Sequence, residues 1–425
     1  MADWAHAGAA RLVAALRAGE VSSRELLDLY LSRIEAADPA LNAVVTLDAE
    51  RAWRLASDAD EALSRGEITG PLHGLPITIK DTIETEGLRT TSGAPWLTGH
   101  VPPRDATAVA RLKAAGAIVF GKTNCPLYGG DAQSENVVFG TTGNPWNTDR
   151  SPGGSSGGSA AALAAGHTAL ELGSDIGGSV RNPAHYCGVY GHKPSFGIVP
   201  TRGHIPPPAG ALSPVDLAVV GPLGRAAEDL SLALDVLAGP DEADGTAWRL
   251  ELPPPRRYTL ADYRVAVWLE DPACPVETAV GDLLSDAVEA VARAGAAIEA
   301  RLRPDFTLAE AHRTYQRLLY GATTAGLANR VYGTLLVKAE ELAPDEDGRN
   351  ARYLRDGTAR HRDWLAAAEA RAGYRQRWRD FFEGCDILLC PTVPTTAIRH
   401  DHSNINRRTI TVDGGTRDWV SRMPR

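Results

Sequence analysis

Lysine is scarce in this sequence. Of 44 basic residues only five are lysines (Lys80, Lys113, Lys122, Lys193 and Lys338), and all the others are arginines. Arginine keeps its proton at any useful pH, whereas lysine can release one. A site that needs a neutral amine must therefore draw on one of these five, and four of them lie between residues 80 and 193. Cysteine is sparse too. Cys125, Cys187, Cys274, Cys385 and Cys390 form neither a paired framework nor a metal-ligand spacing, which fits a reducing cytoplasm. No run of about 18 apolar residues occurs, so no membrane span is expected. Residues 1–10 have no basic-then-apolar leader, so no secretory signal is expected. There is also no basic stripe, and the net charge is −9. Nucleic acid and anionic membrane surfaces are poor partners for such a chain.

What is present is enough apolar material, 44% of 425 residues, for one large domain or two ordinary ones. Residues 9–37 read as two helices, with Ser22 or Ser23 as N-cap and Leu26, Leu27, Tyr30 and Ile34 at helical spacing. A further helix is expected over 49–64. Leu75 to Ile79 alternates like a strand and runs directly into Lys80-Asp81. Residues 108–115 read as helix and 117–120 as a short buried strand. The same order of helix then buried strand recurs at 285–294 with 296–300 and at 362–382 with 386–390. Such alternation predicts an α/β fold. Residues 121–224 are rich in glycine, serine and proline but are interleaved with apolar segments such as Ala160–Ala165, so they read as packed loops rather than a linker. The stretch 239–258, acidic and then proline-rich, reads as a surface connection. The resulting plan is one domain over 1–425, with N-terminal helices (1–70), a catalytic block (71–240) and a more helical block with late strands (241–425).

Three motif matches fail on physical grounds. Gly116-Ala-Ile-Val-Phe-Gly121-Lys122-Thr123 satisfies the P-loop string, but a phosphate cradle needs exposed backbone N–H groups. Ala117 to Phe120 instead read as the buried strand itself. Gly153-Gly154-Ser155-Ser156-Gly157 satisfies the G-x-S-x-G elbow, which requires a strand immediately before it, and Asn147 to Gly153 cannot be one. None of His185, His192, His204, His361, His400 and His402 sits in a recognisable catalytic setting. His400-Asp401-His402 could ligate metal but has no third ligand nearby.

Three features remain and fit one mechanism. Ser155 lies in the run Gly153 to Ser159, which leads into a small-residue helix; the alternative is a flexible linker. Ser179 closes Gly173-Ser174-Asp175-Ile176-Gly177-Gly178-Ser179-Val180-Arg181. Consecutive glycines let several N–H groups converge on one point, as an oxyanion hole requires; the alternative is a tight turn with a surface serine. Lys80 ends an apolar strand, where lost hydration depresses its pKa and makes it a base; the alternative is an ordinary lysine paired with Asp81. Together these supply a nucleophile, a relay hydroxyl, a base and an oxyanion hole.

The same residues carry a resemblance. Leu72-His-Gly-Leu-Pro-Ile-Thr-Ile-Lys80-Asp81, the Gly153–Ser159 run and Gly173–Arg181 resemble the amidase signature family. So do Gly121-Lys-Thr-Asn124, Asn144-Pro-Trp146, Pro183-Ala184, Cys187-Gly188, Lys193-Pro194 and Gly221-Pro222-Leu223. The resemblance covers about residues 20–240 and resumes at Cys385–Pro391. It implies a mixed, twisted central β-sheet wrapped by α-helices. It implies Ser179 as acyl-forming nucleophile, Ser155 as relay after a non-proline cis peptide bond, and neutral Lys80 as base. Backbone N–H groups of Ile176, Gly177, Gly178 and Ser179 are expected to form the oxyanion hole. Asp175, Arg181 and Ser156 are expected to support the loops, and Gly129 to border the substrate. No metal or cofactor is expected.

The expected substrate is a small-molecule carboxamide. Esters and carbamates are the adjacent alternative, sharing the acyl-enzyme route. An amidotransferase subunit passing ammonia to a partner is a less favoured reading, and an inactive binding protein is argued against by the intact Lys80, Ser155 and Ser179. Family members run several dozen residues past the point where this chain stops, and Thr409 to Trp419 resembles the approach to that segment. Sheet edges left bare invite pairing, so a homodimer or a marginally stable monomer is expected.

Overall fold

The computed structural model describes residues 3–405 and 407–418; Trp419 and the residues after it lie outside that range. The chain forms two compact units, Met1–Glu251 with Ala397–His400, and Leu252–Thr396 with Asp401–Arg425. The boundary falls within the acidic and proline-rich stretch.

The first unit contains α1 (Ala9–Ala18), α2 (Ser23–Leu41), β1 (Val44–Leu47), α3 (Ala49–Ser64), β2 (Pro76–Lys80), α4 (Thr107–Ala114) and β3 (Ile118–Thr123). A two-strand hairpin comes next, β4 (Glu135–Asn136) with β5 (Gly140–Thr141), then α5 (Gly157–Ala164), β6 (Glu171–Asp175), α6 (Arg181–Cys187), β7 (Tyr190–Gly191), β8 (Val219–Gly224) and α7 (Ala227–Leu237). The helices and strands expected from residues 9 to 120 are all present. At α2 the N-cap is Ser22. Its hydroxyl accepts from the Glu25 N–H, and the Glu25 carboxylate accepts from the Ser22 N–H at 2.8 Å, a reciprocal capping box.

Six strands make the central sheet, in the order β1-β3-β2-β6-β8-β7. β2 runs parallel to both β3 and β6, while the outer pairings are antiparallel. The sheet is therefore mixed. β2 sits in its middle because Pro76–Lys80 is buried on both faces. Side chains alternate along it. Ile77 and Ile79 join the main apolar cluster with Leu26, Leu27, Tyr30, Leu75 and Phe120. Each such side chain contributes about 1.5–3 kcal/mol by leaving water. Thr78 and Lys80 take the other face. A smaller cluster of Ala160, Leu163, Val180, Ala184, Cys187 and Leu223 packs α5 against α6 and β8. α5 is built of small and apolar residues and is buried from Gly157 to Leu163; the hydroxyl of Ser159 is paired with that of Thr123 at 2.9 Å.

The P-loop string is resolved by β3. Ile118 to Thr123 is a fully buried strand, so those N–H groups belong to the sheet.

In the second unit β9 (Arg264–Val267) is flanked in parallel by β10 (Ala297–Glu299) and β11 (Ile387–Leu389). Helices α8 (Thr278–Arg293), α9 (Leu308–Thr324), α10 (Asn329–Glu340), α11 (Arg349–Gly357) and α12 (His361–Phe381) make up most of the rest. A hairpin of β12 (Thr409–Val412) and β13 (Gly415–Asp418) closes it. The strands near 297 and 387 occur where the sequence predicts them but are not buried. Ala297, Glu299 and Ile387 are exposed, and only β9 has a buried run, Val265–Val267. They are the two edge strands of a three-stranded sheet among the described residues. No helix among the described residues is long and apolar enough to cross a membrane.

Candidate active site

Lys80 is the last residue of β2 and is fully buried. Its Nζ donates to Ser155 Oγ at 2.6 Å and to Ser174 Oγ at 3.0 Å. Burial lowers its pKa to about 8, against the pull of Cys125, Asp175 and Glu171, which favour the charged form. Asp81 does not pair with it. The Asp81 carboxylate accepts instead from the Thr91 N–H and hydroxyl. The ordinary-pair alternative for Lys80 is thereby excluded.

The glycine-serine run is packed, not free. Its peptide bond between Gly154 and Ser155 is cis. A Cβ on Gly154 would lie 2.6 Å from the Gln133 nitrogen and 2.7 Å from the Asp131 oxygen, closer than real side chains approach. The Gly157 N–H donates to Ser134 Oγ at 2.9 Å, and that hydroxyl in turn donates to the Gly153 carbonyl. Ser155 is 2% exposed. The residues before it form no strand, so it is not a hydrolase elbow.

Ser179 is 9% exposed, the least covered of the three. Its carbonyl accepts from the Ser156 N–H at 3.0 Å, which ties its loop to the Ser155 loop. The Ser156 hydroxyl in turn reaches the Ser174 carbonyl at 3.3 Å. Asp175, the last residue of β6, organises the turn between. Its carboxylate accepts from the N–H groups of Gly178 (2.9 Å) and Val180 (3.0 Å) and from Nε (3.0 Å) and Nη2 (2.8 Å) of Arg181. Burial opposes ionisation of Asp175, but the Arg181 guanidinium and the backbone donors outweigh it and hold the carboxyl below its ordinary value.

One expected oxyanion donor has a partner within its own turn. The Gly178 N–H already donates to Asp175 at 2.9 Å. The N–H groups of Gly177 and Ser179 carry no hydrogen bond among the described residues. No hydrogen bond joins the Ser179 and Ser155 hydroxyls among the described residues either.

Gly129 lies beside Ser155. Its φ is +66°, and a Cβ there would sit 3.2 Å from Ser155 Oγ. Two further residues around Lys80 are not announced by the sequence. Ser174 contacts it directly, and His204 Nε2 lies 2.8 Å from Ser174 Oγ. The one local signal for Ser174 is its alternation with Asp175 on β6; nothing local marks His204. On the same polar face Thr78 donates to Glu171, whose carboxyl burial lifts to about 7. Among the described residues no group of three or more His, Cys, Asp or Glu side chains could hold a metal ion.

The amidase family (Amidase) matches residues 25–418. The chain belongs to it. Members of the amidase family of this signature are serine hydrolases acting on C–N bonds, and the fold carries that reading here. A glutamyl-tRNA(Gln) amidotransferase subunit of Carboxydothermus hydrogenoformans is 34% identical over 402 residues, covering 90% of this chain and 82% of that protein. Among solved structures, fatty acid amide hydrolase superposes with a TM-score of 0.78 at 26% identity, over 93% of this chain and 69% of that one. A bacterial aryl acylamidase of the amidase signature family gives 0.77 at 26% identity, over 96% and 84%. These amidase relatives match the mixed sheet and its helices together.

Proposed function

We propose that this amidase-family chain hydrolyses a small carboxamide through an acyl-enzyme on Ser179. The observation that carries the reading is the 2.6 Å contact between fully buried Lys80 and Ser155. A neutral amine in that place can take a proton through the Ser155 hydroxyl. In the first half-reaction Ser179 Oγ attacks the carbonyl carbon. Its proton passes to Ser155, whose own proton moves to Lys80 Nζ. The negative oxygen is met by the N–H groups of Gly177 and Ser179. On collapse the C–N bond breaks, and Lys80 returns the proton through Ser155 to the leaving nitrogen. Water then cleaves the ester by the same route, releasing the acid and restoring Ser179. Asp175 and Arg181 hold the donor turn in shape. Esters and carbamates, which present the same carbonyl, would enter the same route.

The test is a panel of aryl amides, esters and carbamates with the purified chain, alongside fluorophosphonate labelling mapped to Ser179. Turnover that Ser179→Ala abolishes supports the reading. A chain that neither turns over the panel nor labels at Ser179 refutes it and leaves a binding protein.

A second reading is favoured by the amidotransferase subunits among the curated relatives. In it the same residues release ammonia from an amide for a partner enzyme. Glutaminase activity that appears only with co-purifying chains would select it.

A further inference from the structure

His204 stands outside the three-residue relay, yet it is attached to it. Its Nδ1 lies 2.9 Å from the Pro206 carbonyl oxygen. A carbonyl can only accept, so Nδ1 carries the ring proton. Nε2 is then a bare acceptor, 2.8 Å from Ser174 Oγ. Ser174 has one hydroxyl proton, and Nε2 takes it. What Ser174 presents to Lys80 Nζ, 3.0 Å away, is therefore a lone pair.

We propose that His204 is a positioning residue for the lysine base, acting through Ser174 to fix the direction of the Ser174–Lys80 hydrogen bond. The inference rests on Lys80 being the base of the proposed hydrolysis. A neutral amine has two N–H donors and a single lone pair. The charged amine donates to both hydroxyls; once it is neutral and one N–H is held by Ser174, its lone pair can turn to Ser155 Oγ, 2.6 Å away. Without His204, Ser174 can turn its own proton into that lone pair and block the relay.

The backbone supports this role. Residues 203–205 are laced to the segment that continues β2 past Lys80. Ile83 and His204 form a β-bridge. The Glu84 N–H donates to the Gly203 carbonyl at 2.8 Å, and the Ile205 N–H donates to the Thr82 carbonyl at 2.7 Å. Gly203 has φ +87°, and a Cβ there would lie 2.5 Å from Ala106. The imidazole is thus carried by a segment bridged to the continuation of the strand that carries the base. Burial, and after it the nearby Lys80 charge, lower its pKa to about 4 against the Pro206 carbonyl, so the ring stays neutral where the lysine works. Glu171 and Asp175 are the charged groups that face Lys80 from β6.

The test uses the full chain and the rate of fluorophosphonate labelling of Ser179, in which fluoride leaves and the serine proton goes to the relay. His204→Phe should slow labelling roughly tenfold, the worth of one directed hydrogen bond, and displace its pH limb. Ser174→Ala should slow it similarly, and the double variant should be no slower than Ser174→Ala, because both act on one bond. His204→Gln, whose carbonyl oxygen can accept the same proton, should recover most of the rate. Wild-type labelling and pH limb in a folded His204→Phe, or losses that multiply in the double variant, would overturn the proposal. If His204→Phe loses its melting transition, His204→Asn takes its place, since its amide is too short to reach Ser174, and wild-type labelling by that variant overturns the proposal equally. A wild-type chain that fails to label at all refutes the nucleophile assignment instead.

Discussion

The N–H of Ser156 donates to the carbonyl of Ser179 at 3.0 Å, so backbone ties the Ser155 loop to the Ser179 loop. Ser179 and Ser155, the proposed nucleophile and relay, thus have their backbones held together. A hydroxyl is free to rotate between donor and acceptor roles as the reaction needs.

The base should reveal itself by pH. Lys80 must be neutral to accept a proton, and its pKa is lowered to about 8 by burial. The rate constant kcat/KM should therefore rise with pH through a midpoint near that value and level off above it. Lys80→Arg should be inactive at every pH, because the guanidinium keeps its charge. A pH–rate profile of both proteins checks this, and retained activity in Lys80→Arg would refute the assignment. Stability should move the same way. The unfolded chain holds its lysine proton up to the ordinary value of 10.5 while the folded one releases it near 8. Folding therefore gains as pH rises across that window.

Asp175→Asn should damage both fold and rate. The change removes the charge that receives Arg181 and two backbone N–H groups. Loss of a buried, multiply bonded carboxylate costs about 2–4 kcal/mol. Urea denaturation should show that drop, and turnover should fall by roughly a hundredfold as the donor turn loosens.

Gly129→Ala should separate the two quantities. The added methyl meets Ser155 Oγ at 3.2 Å and sits at φ +66°. The backbone cost is about 1 kcal/mol. The crowding falls on the relay hydroxyl itself, so kcat should drop more than the modest loss in Tm would suggest. An unchanged kcat would remove Gly129 from the site.

Ser22→Ala provides the contrast. It breaks the capping box at the start of α2 and should cost about 1 kcal/mol of stability. Turnover at a temperature where the variant is folded should match the wild type, since α2 carries none of the residues around Lys80.

Much of this is legible in the sequence, for definite reasons. The alternation Ile77-Thr78-Ile79-Lys80 announces a buried strand with one polar face, and the structure has one. Ser155 and Ser179 stand out because each follows a Gly-Gly pair, Gly153-Gly154 and Gly177-Gly178. What cannot be read depends on contacts between distant segments. His204 meets Ser174 from 30 positions away through a β-bridge that no local pattern encodes. The commitment of the Gly178 N–H to Asp175 arises from the path of a turn, which composition leaves open. The exposed faces of β10 and β11 reflect their place at the edges of a small sheet, whereas their apolar residues suggest an interior.

Strand parity sets a constraint on how this protein can change. Lys80 shares a face of β2 with Thr78 because the two stand one full pleat apart. Deleting or inserting a single residue between Pro76 and Ile79 would turn the lysine toward Tyr30 and Phe120 and point an isoleucine at the serines. Length variation is thereby barred from β2, however freely its apolar residues exchange with one another. Insertions that alter selectivity must instead enter through the loops, where no such two-residue rhythm applies.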